Sequence, residues 1–211
     1  MTEVSVIEAI LGLLSRGGWV MIPIFFVGWI AWILLLERYW LLLELRGTRA
    51  SRFWAALEAQ GLSGGQQWLG RRDGLLPRLL RGALLRHAQG PKAVRNEMEA
   101  IRHEADVDLN HHLKTIAVMA AVAPMLGLLG TVSGMVHTFE IIQQFGFGNP
   151  VLMADGISEA LLTTQAGLLV AFPIVIVYNH LLGRMQRLQS VAWSEAVKFE
   201  GWLARHPEVK L

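Results

Sequence analysis

The chain has 211 residues, of which 53% are hydrophobic and 17% charged, where a soluble domain carries about a quarter charged. The formal net charge is only +2 and cysteine is absent. Disulfides and thiolate metal sites are thereby excluded, bulk charge gives no reason to bind nucleic acid, and the balance points to a membrane protein.

Residues 1–18 are expected on the outer side. "SVIEAILGLL" at 5–14 places Ile7, Ile10, Leu11 and Leu14 on one helical face, as in a short helix lying on a membrane surface or in the first turns of a span, and "RGG" at 16–18 breaks it. Residues 19–36, "WVMIPIFFVGWIAWILLL", carry no charge and form the first expected span, with Pro23 in its first turn or at a mild kink. No A-x-A site follows, so this stretch does not read as a cleaved signal peptide.

Residues 37–114 are expected as a cytoplasmic helical region rather than a large globular domain. "RASRFWAALEAQ" reads as one helix stopped by "GLSGG" at 61–65, and "LLPRLLRGALLRHAQ" as a second, ended by Gly90. Pro91 suits a first helical position, and no breaker separates the run after it from the second span at 115–139. One helix is therefore expected from Pro91 to about Gln143. Residues 140–156 form an outer loop, 157–182 a third span, and 183–211 a cytoplasmic tail continuing the third helix to about Ala204. The expected fold is an all-α membrane protein in which the second and third spans project into a helical bundle.

Lys and Arg set the orientation. Of the 19, residues 37–114 hold 13, the tail five, the stretch before the first span one, and the 140–156 loop none. The positive-inside rule then places the N-terminus outside.

Two faces stand out. In the second span Ala120, Pro124, Gly127, Thr131, Gly134 and Thr138 recur every three or four residues, all small or polar. In the third, Gly156, Ala160, Thr164, Gly167 and Ala171 do the same, with Thr163 and Glu159 toward one edge. Lipid gives no reason for small residues, whereas close helix packing does. Pro124, Gly127, Gly130, Gly134, Gly156 and Gly167 are accordingly the expected packing positions. The stripes also suggest an oligomer whose second and third spans turn inward around a lumen or a partner helix. A carboxylate such as Glu159 costs about 3 kcal/mol in a span and normally faces protein or water. Glu159, Thr131, Thr163 and Thr164 are the candidate polar lining.

"APMLGLLGTVSGM" followed by "DGISEALLTTQAGLLVAFPIVIVYN" closely resembles the ExbB/TolQ/MotA proton-channel family, on its ExbB-like side. The likeness covers about residues 115–180 and is supported by "LLLERYW" after the first span. It implies a pentamer in the inner membrane of Gram-negative bacteria. The ring would enclose the single-span helices of an ExbD-like partner carrying a conducting aspartate, and a TonB-like protein would pass the motion to outer-membrane transport. The family's glutamate falls on Glu159, and its channel-facing threonines on Thr131 and Thr164. A TolQ-like envelope-maintenance subunit, or a non-conducting scaffold for partner helices, is the alternative. Gln165, Thr163 and His137 depart from the commoner pattern.

Other chemistry is not indicated. The seven histidines do not assemble a ligand set: His111 and His112 are adjacent and read as solvated, and His137 with Glu140 offers two ligands at most. "GLSGGQQW" lacks the lysine of a phosphate-binding loop. Ser133 and His137 are one turn apart, but nothing orients the histidine as a base. No enzymatic activity, cofactor or metal is expected. Arg71, Arg72, Arg78, Arg81 and Arg86 could meet anionic lipid head groups.

Overall fold

The computed structural model describes residues 12, 17–45, 50–70, 72–146 and 150–206. The amphipathic segment expected over 5–14 lies outside them except for Gly12, as does Arg71. The described chain is helical: α1 (Met21–Leu45), α2 (Ala50–Leu69), α3 (Leu75–Arg86), a 3-10 turn (His87–Gln89), α4 (Pro91–Phe145) and α5 (Pro150–Arg205). Among the described residues α1, α4 and α5 are long and apolar enough to cross a membrane. The protein is an all-α membrane protein with three spans, the last two in helices far longer than a bilayer is thick.

Local chemistry explains most boundaries. Gly18, at φ 65°, supplies the left-handed turn ahead of α1. Pro23 then falls in the first turn, where its missing N–H leaves no intrahelical bond unmade. Gly90 at φ 96° ends the 3-10 turn, and Pro91 opens α4. Two boundaries differ from expectation. The helix breaks at Gly61, at φ 61° and ψ −147°, as expected, but after this kink helix resumes at once and runs through Leu69. α4 ends at Phe145, close to the expected Gln143, but residues 150–156, expected as loop, are helical. Pro150 opens α5 a full two turns before Ile157, and the polar residues there do not forbid helix.

The chain divides into two compact units, one of residues 1–36 and 114–179, the other of residues 37–113 and 180–211. In the first, α1 buries Met21, Ile24, Ala31 and Leu35, while Phe26, Trp29 and Ile33 stay exposed on its other side. The same division holds on α4 and α5: small residues are covered, whereas Met125, Leu128, Leu168 and Phe172 are exposed. Such exposed apolar surface suits lipid or neighbouring subunits.

The second unit has a conventional core. Phe53, Leu79, Leu80, Met98 and Phe199 are buried together, and Phe53 meets Trp54, Trp68 and Phe199 edge to face at 5.2–5.6 Å. Burying each such side chain contributes on the order of 2 kcal/mol. Glu195 ties α5 to α2 by accepting from Trp54 Nε1 at 2.6 Å, and also receives Lys198 at 2.6 Å. Burial alone would raise the Glu195 carboxyl, but these two donors outweigh it and hold the group below the usual carboxylate range.

Candidate functional site

The α4–α5 seam of the first unit carries the candidate residues. On α4 the buried line is Ile116, Ala120, Ala123, Gly127, Gly130, Gly134 and Thr138; on α5 it is Gly156, Ala160, Thr163, Gly167 and Ala171. The two lines face each other within one chain. A Cβ built on Gly127 would lie 3.0 Å from the Thr163 carbonyl oxygen and 3.2 Å from Thr164 Cα. One on Gly167 would lie 2.7 Å from the Ala123 carbonyl oxygen, and one on Gly134 2.8 Å from that of Gly156. One on Gly130 would collide with the Thr163 side chain, and one on Gly156 with the Thr138 hydroxyl. The glycines are thus small because the backbone or side chains of the other helix occupy the space a side chain would need. The stripes that suggested surfaces turned toward other subunits are consumed largely within the chain.

The threonines divide between interior and edge. Thr163 is wholly buried and donates to the carbonyls of Glu159 (3.2 Å) and Ala160 (2.9 Å) of its own helix. It fills the space left by Gly130 and does not present its hydroxyl to a free surface of the chain. Thr138 is likewise buried and bonds back to Gly134 at 2.9 Å. Thr164 is half-buried at the rim, and its hydroxyl crosses to the Gly127 carbonyl at 3.2 Å. Thr131, also half-buried, donates to Leu128 of its own helix at 2.7 Å. It follows Gly127 by one helical turn, which sets it on the same rim as Thr164. Pro124, three residues before Gly127, is half-buried rather than at the seam's centre.

Glu159 is not on that rim. At 100° per residue it lies about 140° around α5 from Thr164. Its carboxylate packs where a side chain on Gly18 would collide with it, and further along the same side Val170 fills the space left by Gly28 of α1. Glu159 therefore lies on the edge of the seam that α1 covers. It has no hydrogen bond or ion pair among the described residues. Helical phase sets Thr131 and Thr164 on one edge of the seam and Glu159 on the other. Residue type, spacing and the family resemblance mark these positions in the sequence, but none of them carries a record of how α1 packs.

In the second unit a cluster emerges that the sequence reading did not single out. Arg38, at 6% exposure, donates from Nη1 to the Asp108 carbonyl at 3.2 Å and meets His112 Nδ1 through Nη2. Glu37 Oε1 stands 3.3 Å from His112 Nδ1. His112, expected to be solvated, is half-buried here, while His111 is exposed. The signal available was the charge pair following an apolar run in "LLLERYW". His137 and Glu140 approach to 3.9 Å on the surface, and no metal-competent cluster occurs among the described residues.

The profile of the MotA/TolQ/ExbB proton channel family matches residues 71–192, a stretch holding the whole α4–α5 seam. Among individual relatives, the biopolymer transport protein exbB1 of Vibrio cholerae is 38% identical over 103 residues, covering 47% of this chain and 45% of the relative. The biopolymer transport protein ExbB of Aquifex aeolicus is 40% identical over 83 residues, or 39% of this chain and 56% of the relative. That of Salmonella typhimurium is 44% identical over 64 residues, or 30% and 26%. The matched stretch thus spans about half the length of these relatives or less.

Proposed function

The chain belongs to the MotA/TolQ/ExbB proton channel family, and from that premise we propose that it is an ExbB-like subunit of a proton-driven energy-transducing complex in the bacterial inner membrane. Copies of the chain assemble as a ring, with five subunits the expected number. The ring encloses the spanning helix of an ExbD-like partner, and a TonB-like protein carries the resulting work to outer-membrane transport.

The observation that carries this reading is the polar rim made by Thr131 and Thr164. It is the edge of the α4–α5 seam opposite the one α1 covers, so it is available to face a lumen. Thr164 spans the seam to the Gly127 carbonyl. Its oxygen keeps lone pairs after donating that bond and can accept from a protonated group or water. In the proposed cycle a proton from outside neutralises the partner's carboxylate, which can then pass apolar wall. Re-ionisation draws it back toward donors and water at the rim. One charge crossing 100 mV releases about 2.3 kcal/mol, enough to bias such a movement.

The double substitution Thr131→Val and Thr164→Val tests the rim. Valine keeps the shape and removes both hydroxyls. Loss of the one bond between helices costs about 1 kcal/mol, too little to undo assembly. Native mass should be unchanged, while proton flux in liposomes reconstituted with the partner falls at least about tenfold, as expected for loss of groups positioned for transfer. Unchanged flux from an assembled double variant would remove the rim from the proton path.

A further inference from the structure

We propose that the second unit carries a binding groove for an acidic peptide segment, built on Trp68 and Arg72 and independent of the proton path. A cavity of about 340 Å³ is lined by Ala56, Gln60, Gly64, Gln67, Trp68 and Arg72, among others. This is within the roughly 300–1,000 Å³ range of ligand sites. Two donors at this groove, Trp68 Nε1 and Arg72 Nη1, are shielded from solvent and have no hydrogen-bond partner among the described residues. Each such unmade bond costs about 1–3 kcal/mol. Buried polar groups are normally satisfied, so a neighbouring pair of orphaned donors calls for an acceptor supplied from outside.

The loop is built to hold them. Arg81 donates to the carbonyl of Arg72 at 2.6 Å and also to that of Leu69, clamping the chain as it leaves α2. The Arg72 guanidinium then lies over the Trp68 ring at 4.7 Å. Stacking fixes its plane, and no hydrogen bond or ion pair engages it among the described residues. Among the described residues, no carboxylate lines the groove.

The remaining lining selects the class of ligand. An oxyanion alone would use Arg72 and Trp68 but leave the amides of Gln60 and Gln67 idle as acceptors. Each amide offers both a carbonyl oxygen and two N–H donors, the complement of a peptide backbone. Ala56 and Gly64, both small, line the same groove. The geometry therefore favours a short peptide stretch with a carboxylate on Arg72 over free phosphate.

The test uses the full chain in detergent with its eight tryptophans labelled as 5-fluorotryptophan, and Trp68→Phe assigns the Trp68 fluorine resonance. The probes are N-acetyl-Ala-Glu-Ala-amide, its Gln counterpart and inorganic phosphate. The acidic peptide should shift the Trp68 resonance saturably, and the Gln peptide should bind at least about tenfold more weakly. Arg72→Gln should abolish the preference, and Arg72→Lys should restore part of it. The other seven resonances report whether each variant is folded. The proposal is overturned if the Glu and Gln peptides bind alike, if neither shifts Trp68, or if phosphate shifts it while the peptides do not. The wild-type comparison decides this without any variant, and flux through Thr131 and Thr164 is read in a separate assay.

Discussion

Glu159 is held by α1's lead-in, and that contact constrains what its charge can do. Gly18 has both a positive φ and no room for a Cβ against the Glu159 carboxylate, so the two residues are coupled sterically. Glu159→Gln keeps that shape and removes the ionisable group. If the charge takes part in coupling, the Gln variant assembles to the native mass yet loses proton-driven transport. Gly18→Ala, which displaces the same side chain at the added strain of a left-handed alanine, should then impair transport as well. Parental transport by Glu159→Gln together with a defective Gly18→Ala would reduce the contact to packing. A second carboxylate, Glu195, makes a pH prediction. Its folded value lies below its unfolded one because the Lys198 and Trp54 donors outweigh burial. The stability it contributes is present above the unfolded value of about 4.3 and is lost as pH falls through the lower folded value. Thermal melts of the parent should therefore lose more stability between about pH 5 and pH 3 than those of Glu195→Gln. Equal slopes would show the two hydrogen bonds contribute nothing net. The acid in a span was legible because its chemistry is conspicuous; the Glu195 contact was not, since Trp54 lies 141 residues away.

At the scale of elements, the seam depends on small residues facing backbone. Leucine at Gly127 must displace the Thr163 carbonyl and Thr164 Cα, at 3.0 and 3.2 Å from the first added carbon. At Gly167 it must displace the Ala123 carbonyl. Backbone cannot swing aside as a side chain can, so either change separates α4 from α5 and breaks the Thr164–Gly127 bond. Overpacking of this kind costs about 1–3 kcal/mol or more. Gly127→Leu and Gly167→Leu should lower melting temperature and abolish the native ring mass, whereas Gly183→Leu, with open space around it, should not. Unchanged mass for both seam variants would argue against the tight crossing. The three- and four-residue spacing made the stripes legible. Their partner was not, because spacing identifies a close-packed face without saying whose helix fills it. The break at Gly61 was legible because glycine marks it; the helix beyond was not, since it is sustained by Leu62, Trp68 and Leu69 packing on the core.

The whole molecule is a membrane protein whose charges, more than its folded contacts, record its orientation. The long helices and three spans could be read from uninterrupted apolar runs and proline placement. Orientation follows from a different physics, the energetic asymmetry that retains Lys and Arg on the inner side. Thirteen of 19 lie in residues 37–114 and none in 140–156. The absence of cysteine makes this directly measurable, since any single introduced thiol is the only one to react. Gln144→Cys, exposed near the end of α4, should be labelled on intact spheroplasts by a membrane-impermeant maleimide. Ser63→Cys in α2 and Ser194→Cys in α5, both exposed, should react only after the membrane is opened. Flipping the charge balance adds a second arm. Neutralising Arg184 and Arg187 alone leaves all 13 basic residues of 37–114 in place and should not invert the chain. Labelling of Ser63→Cys from outside, with Gln144→Cys protected, would reverse the orientation. It would also place the Thr131 and Thr164 rim in the opposite sense to the proton gradient.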